Sequence, residues 1–383
     1  MRSSRSRLVE IAQAFLKLGA LSFGGPAAHV ALMEDEFVVR RRWVPREQFL
    51  DLLGVTNLIP GPNSTEMAIS LGYLRGGWPG WFVAGAAFIL PAASMTTACA
   101  WVYVRAGALP QAERWRFGIA PAALAVIALA VWRLGRPAIK DTRHAVLGVA
   151  VTAAALLGAS EIAALFLAGA IGMVWLRRTR MPQDAVRALL VAAAIMSSMA
   201  VLAAPLANAA AVPITAWNLG SVFLKIGSVL YGGGYVLIAF LEKALVRDRA
   251  WLTERQLLDA IAVGQFTPGP VLSTATFIGY VLAGLPGALV ATVGIFLPSF
   301  VFVAALQAVL PHVRKNEWMA AFLDAVNVAA IGLMAAVTIG LSSSLTSWQQ
   351  WTIAIGTLLA GAIVKPHTGW LIVGGAAVGA LLF

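Results

Sequence analysis

The sequence predicts an all-α integral membrane protein. It is built from two inverted-topology repeats with discontinuous helices, re-entrant helical hairpins and about nine full membrane spans. Three observations lead there: an apolar composition, long charge-free stretches, and a duplicated set of glycine and proline motifs. Of 383 residues, 60% are hydrophobic and 12% charged, and the mean hydropathy is +0.82. Such values belong to a chain whose solvent is lipid, which excludes a large cytosolic enzyme. The single cysteine, Cys99, lies in an apolar stretch, so neither a disulfide framework nor a cysteine-based metal site can be built. The formal charge of +11 does not point to nucleic acid, because the Lys and Arg residues cluster at the ends of apolar segments, as orientation signals do.

Charge-free stretches cover residues 79 to 104, 117 to 132, 145 to 160, 162 to 176, 188 to 207, 286 to 310, 325 to 343, 348 to 364 and 368 to 383, and each is read as a span. The shortest of them leave open that a pair forms one tilted element. Residues 8 to 75 and 217 to 283 differ, mixing short apolar helical pieces with charges and Gly/Pro breaks. Each reads as two helical hairpins that enter and leave on one side. Arg2, Arg5 and Arg7 are followed by Lys17 rather than by a clean apolar run with a cleavage site, so the N-terminus is expected to be retained and cytoplasmic. With that start, 19 Lys and Arg residues fall on the cytoplasmic side and 7 outside, while Lys17 and Lys225 lie within membrane pieces. The positive-inside rule favours this topology over its mirror image and places the C-terminus in the periplasm.

Residues 15 to 70 align without gaps on 223 to 278, and 72 to 91 on 279 to 298, with about 26 of 76 positions identical. FLKLG at 15 to 19 pairs with FLKIG at 223 to 227, FGGP at 23 to 26 with YGGG at 231 to 234, and PGP at 60 to 62 with PGP at 268 to 270. GYLRGGWPG at 72 to 80 pairs with GYVLAGLPG at 279 to 287, and Leu90-Pro91 with Leu297-Pro298. An N-terminal repeat of residues 1 to 180 (hairpins 8 to 75, spans 79 to 176) is thus followed by a linker, 181 to 212, with one unpaired span. A C-terminal repeat of residues 213 to 383 (hairpins 217 to 283, spans 286 to 383) begins on the opposite face. Inverted repeats with broken helices are the architecture of secondary transporters, whose sites lie where the repeats meet.

Irregular backbone survives at membrane depth only when buried in protein or lining an aqueous cavity. Pro62 and Pro270 suit a first helical turn, and polar residues follow both: Asn63, Ser64 and Thr65, then Ser273 and Thr274. Free N–H groups and hydroxyls at a helix start suit an anion. The glycine pairs Gly24-Gly25 and Gly232-Gly233 let backbone approach a ligand; tight helix packing explains any one motif equally well, but both break types recurring in both halves favour the ligand reading. Lys17 and its repeat partner Lys225 sit inside apolar helices. Each costs at least about 2.5 kcal/mol there, so each is expected to face a partner, water or substrate, with snorkelling as the rival reading. The spacing of Lys17, Leu21 and Gly24 aims the ammonium toward the glycine break, and two such lysines can converge on a divalent anion. Asn57 and Gln265 precede the PGP breaks as candidate hydrogen-bond donors. His29 and Glu66 occur only in the first half and are candidate coupling or gating groups, unless they are simply packed or paired. The recurring pattern Trp43, Gln48, Asp51 and Trp251, Gln256, Asp259 reads as hairpin anchors at the membrane surface. No nucleophile and base pair, zinc motif or phosphate loop appears, so no cofactor, no metal and no enzymatic activity are expected.

FGGPAAH at 23 to 29, the PGP breaks with downstream GY, GQFTPGP at 264 to 270, and ATFIGY with GIFLPSF resemble the signatures of the chromate ion transporter (CHR) family in its long, two-domain form. The resemblance implies an inner-membrane secondary transporter that exports chromate, a sulfate-like dianion, on membrane potential or proton motive force. Uptake or exchange of sulfate or a related oxyanion stays open, as does a membrane scaffold or enzyme that transports nothing. The expected partners are the oxyanion and the lipid bilayer, with a homodimer left open.

Overall fold

The computed structural model describes residues 4–22, 25–56, 59–106, 110–175, 213–231, 236–313, 317–364, 366 and 368–382. Every element among them is helical. The first half runs α1 (Ser4–Leu21), α2 (Gly25–Glu34) with a π-helical turn (Asp35–Arg40), α3 (Arg46–Thr56), α4 (Asn63–Ala106), α5 (Pro110–Ala138), α6 (Thr142–Leu156) and α7 (Glu161–Trp175). The second half repeats the series: α8 (Ala216–Val229), α9 (Leu237–Leu241) with a π-helical turn (Glu242–Arg247), α10 (Glu254–Phe266), a 3₁₀ turn (Val271–Ser273), α11 (Thr274–Val313), α12 (Glu317–Ser342), α13 (Trp348–Ile363) and α14 (Thr368–Leu382).

The aligned motifs produce the same local geometry twice. Gly77 interrupts α4 at φ 62°, ψ −151°, and Gly284 interrupts α11 at φ 63°, ψ −154°. That region is open essentially to glycine alone. At both kinks the chain turns back so that the limbs touch. A Cβ on Gly72 would strike the Gly80 carbonyl, and one on Gly279 the Gly287 carbonyl. α1 lies along α4 as α8 lies along α11. In each pair a glycine makes room for the backbone: Gly19 against the Phe88 carbonyl and Pro91 ring, Gly227 against the Ile295 carbonyl and Pro298 ring. Both π-helical turns close with a residue in the left-handed region, Arg42 at φ 52° and Ala250 at φ 51°. Each also carries an ion pair five residues apart, Arg41 to Glu36 at 2.6 Å and Arg247 to Glu242 at 2.5 Å.

The halves interlock rather than standing side by side. α5 packs on α13 and α14 of the second half, and α12 packs on α6 and α7 of the first. Arg133 donates to the Gly361 carbonyl at 2.8 Å, Thr152 to the Gly332 carbonyl at 3.0 Å, and Lys140 pairs with Asp324 at 2.6 Å. The larger core spans both halves, from Leu124, Ile127 and Leu147 to Phe223, Phe277 and Leu333, while Ile11, Phe15, Phe37 and Phe88 form a second cluster within the first half.

Four described helical segments are long and apolar enough to cross a membrane: Asn63–Ala106, Phe117–Ala138, Val271–Leu306 and Ala321–Ser342. The stretches expected at 145 to 160, 162 to 176, 348 to 364 and 368 to 383 are helices of 15, 15, 16 and 15 residues. These are short of the roughly 20 residues that span hydrocarbon without bilayer thinning. α6 also begins earlier than its charge-free stretch. The Asp141 carboxylate accepts from the N–H groups of Arg143 (2.9 Å) and His144 (3.0 Å), capping the helix, and Gly158 at φ 89° lies just beyond its end. The His144 backbone N–H, then its ring, holds the Asp141 carboxyl below the usual carboxylate range. The stretch 188 to 207 and the linker 181 to 212 lie outside the described residues.

Valine at Gly19 or Gly227 forces α1 off α4, or α8 off α11, and lowers stability by about 1 to 3 kcal/mol. Gly356, with nothing within 4 Å of an added Cβ, tolerates alanine with unchanged or raised stability. Thermal unfolding of the purified variants in detergent checks both.

Candidate substrate-binding site

The two PGP breaks are each closed by the other half. The Gly61 N–H donates to the Leu230 carbonyl at 2.7 Å, and the Gly269 N–H donates to the Ser22 carbonyl at 2.9 Å. Gly61 and Gly269 are repeat partners, and so are Ser22 and Leu230. The pair of bonds is therefore reciprocal, as contacts across a two-fold axis are. Both glycines have positive φ, 139° and 90°, and each is hemmed in. A Cβ on Gly61 would run into the Glu66 carboxyl and lie 2.8 Å from the Ser299 hydroxyl; one on Gly269 would lie 2.7 Å from the Ala92 side chain and 2.9 Å from the Gly19 carbonyl. The end of α8 thus meets the first PGP break and the start of α4 at one crossing, and the end of α1 meets the second PGP break at the other.

Buried hydroxyl groups without partners flank both breaks in the sequence, and the Ser299 hydroxyl adjoins Gly61. Ser64, Thr65, Ser273 and Thr274 are all buried. Thr65 and Ser273, again repeat partners, have buried side-chain oxygens with no hydrogen-bond partner among the described residues, as have Ser22, Ser70, Ser299 and the amide nitrogen of Gln265. Buried polar groups are normally satisfied. A set of unsatisfied donors around a closed backbone crossing is what an oxyanion would complete. Two expected site residues are already engaged: the Thr274 hydroxyl donates to the Val271 carbonyl at 2.8 Å, and Asn63 accepts from Thr56 at 2.6 Å, bracing the elbow between α3 and α4.

Lys17 and Lys225 are placed differently from expectation. Both are exposed, because the buried face of α1 is Phe15, Leu18 and Ser22, whereas Lys17 shares the outward face with Leu21, which is 61% exposed. Helical spacing does put Lys17 with Leu21, but that face turns away from α4. Lys225 lines a shallow cavity of about 90 Å³ with Ser160, Glu161, Lys243, Asp248 and Arg249, set off by residue content from the hydroxyl cluster. His29 is buried, packs edge-on against Phe88 at 5.7 Å, and donates from Nε2 to the Ser22 carbonyl at 3.1 Å. It therefore pins the same carbonyl that receives the Gly269 N–H. Gly25 opens α2; Gly24, Asn57, Gly232 and Gly233 lie outside the described residues.

Asp259 departs from the surface-anchor reading of the Trp, Gln and Asp pattern. Asp259 is buried and accepts from Tyr103 of the other half at 2.8 Å, while Gln256 caps α10 with Thr253. Trp43 stacks on Phe37 at 4.5 Å and donates to Glu10 at 3.2 Å, which also receives Arg75 at 3.0 Å. No group of three or more His, Cys, Asp or Glu that can hold a metal occurs among the described residues.

The family described as chromate transporter matches residues 9–214 and 217–380. The chain belongs to that family. Among curated members, a chromate transport protein of Cupriavidus metallidurans is 32% identical over 94% of this chain and 94% of its own length. A chromate transport protein of Pseudomonas aeruginosa is 34% identical over 86% and 79%, and a probable one of Synechococcus elongatus is 31% identical over 87% and 84%. No solved structure gives a significant match. In this chromate transporter family member the halves that carry the two matches are the halves whose breaks cross.

Sequence reasoning missed Ser22, Ser299 and Tyr231. A repeat-based search favours matched pairs, and Ser299 aligns with Ala92. Its position directly after the paired Leu297-Pro298 was the available signal.

Alanine at Gly61 drives a Cβ into the Glu66 carboxyl at a φ that alanine rarely adopts, and abolishes anion flux while the protein still inserts. Thr65→Val with Ser273→Ala removes both orphan hydroxyls without adding bulk and weakens oxyanion binding by about tenfold or more. Equilibrium binding of chromate to purified protein reads the second effect.

Proposed function

We propose that this chain is a secondary transporter that carries chromate out of the cell across the bacterial inner membrane. The observation that carries the reading is the reciprocal crossing of the PGP breaks with the unsatisfied Thr65 and Ser273 hydroxyls beside it, in a chain whose family is described as chromate transporter. A tetrahedral dianion offers oxygens in every direction, so donors supplied by both halves can hold it between them.

In this reading the crossing lies near the bilayer midplane, the repeats are inverted, and the kinked limbs of α4 and α11 are the inner arms of re-entrant hairpins. Nine spans result when the short helices α6, α7, α13 and α14 cross a locally thinned or tilted region and residues 188 to 207 add one more. The N-terminus is cytoplasmic and the C-terminus periplasmic. Moving a dianion out of a cell with a negative interior releases about 4.6 kcal/mol per 100 mV, from about 2.3 per charge. Export therefore runs downhill on membrane potential alone. Lys17 and Lys225, exposed at the outer faces of α1 and α8, act as steering charges and do not close on the anion.

Inverted membrane vesicles containing the chain are expected to accumulate radiolabelled chromate when their lumen is made positive, and to stop when the potential is collapsed. Sulfate movement with no chromate movement would reassign the substrate, and no flux of either would remove the transport reading. Lys17→Ala and Lys225→Ala are expected to slow chromate entry several-fold at low ionic strength, with the difference shrinking in high salt.

A further inference from the structure

Glu66 is the one element of the crossing that an anion site should reject. It follows Thr65 directly, is 0% exposed, and neither carboxyl oxygen has a hydrogen-bond partner among the described residues. Its carboxyl rests where a Cβ of Gly61 would be, and the Ser299 hydroxyl of the other half adjoins the same spot. The repeat partner of Glu66 is Thr274, of Ser299 is Ala92, and of Gly61 is Gly269. The carboxyl and the serine therefore belong to the Gly61 crossing alone, and the Gly269 crossing holds without their counterparts.

Among the described residues no cation bonds Glu66: both its carboxyl oxygens lack partners, the Ser299 hydroxyl of α11 adjoins the space its carboxyl fills, and Thr56 of the packed α3 is already bonded to Asn63. The titratable group within electrostatic reach is the Tyr231 phenol, just beyond the end of α8. A negative carboxylate sealed between these groups, beside donors that suit a dianion, would repel the substrate and have nothing to balance it.

Resting on the oxyanion reading above, we infer that Glu66 is a proton-binding site whose occupancy is linked to that of the anion. When the crossing is open to water the group is a carboxylate; as the halves close around the anion it takes one proton from water and becomes a neutral carboxylic acid, with the Ser299 hydroxyl beside it. On reopening, the proton returns to water with the anion, so one net negative charge rather than two leaves per anion and export still runs down the membrane potential with half the electrical driving force of the bare dianion. One proton is bound per anion enclosed, and by linkage each favours the other to the same extent. Gly61 has a second duty here, since only a residue without a Cβ leaves room for the acid.

Two measurements on the full chain in lipid nanodiscs test this. The first is infrared difference spectroscopy against pH: wild type is expected to show the carbonyl stretch of a buried protonated carboxylic acid near neutral pH, absent from Glu66→Gln. The second is chromate affinity between about pH 7.5 and 9.5, where chromate stays the dianion. Wild type is expected to weaken by up to about tenfold per pH unit once Glu66 loses its proton, and Glu66→Gln to bind with a pH-independent constant. Glu66→Gln is close to the shape of the neutral acid, and its thermal stability relative to wild type shows that it folds. Equal pH slopes in the two proteins, absence of the band, or a sodium requirement that the variant abolishes would overturn the inference. If neither protein binds chromate, the oxyanion reading falls, while the infrared band still decides whether Glu66 holds a proton.

Discussion

Two backbone hydrogen bonds, Gly61 to Leu230 and Gly269 to Ser22, are the constraint on which the rest of this architecture depends. A PGP break leaves an N–H group that its own helices cannot satisfy. In hydrocarbon an unsatisfied backbone group costs several kcal/mol. Each half solves the problem with a carbonyl at the broken helix end of the other. Neither half closes its own break, and α5 and α12 likewise reach across to the opposite half through a core the two share. The glycines at the breaks follow from the same need: positive φ lets the chain reverse, and the missing Cβ lets the two backbones approach within hydrogen-bond distance.

A frame held by reciprocal bonds can keep its geometry while its side chains diverge. Thr65 and Ser273 preserve the symmetry and offer matched hydroxyls. Glu66 and Thr274, Ser299 and Ala92, and His29 and Leu237 break it. The first half thus carries an acid and a histidine where the second carries Thr274 and Leu237. His29 reinforces the crossing by donating to the Ser22 carbonyl, and Glu66 occupies the space that Gly61 leaves. A symmetric donor pair for a symmetric anion, with ionisable chemistry confined to one side, is an economical basis for a transporter that binds one substrate and responds to one proton.

The broken helices were legible because their causes are local. Gly and Pro motifs recurring at matched positions can only mean matched breaks, and the kinks at Gly77 and Gly284 fall at the start of the stretches that read as full spans. The positions of the lysines were not legible. Spacing along α1 correctly groups Lys17 with Leu21, yet which face of a helix meets its neighbour is decided by packing, here by Gly19 against Pro91, and that turned both lysines outward. Span lengths shifted for a similar reason: absence of charge marks where a helix can run, while caps such as Asp141 mark where it does run. Ser299 escaped notice because it lies one residue beyond the last aligned pair, Pro91 with Pro298, and Tyr231 because its motif was read for its glycines.

The most direct test is a cryo-electron-microscopy structure of the chain in a lipid nanodisc with chromate bound. The account predicts anion density at the crossing of the two breaks, within hydrogen-bond reach of Thr65 and Ser273, with Gly61 bonded to Leu230 and Gly269 to Ser22 or separated together. Anion density in the cavity beside Lys225 and Arg249 instead, with the crossing closed and empty, would contradict it.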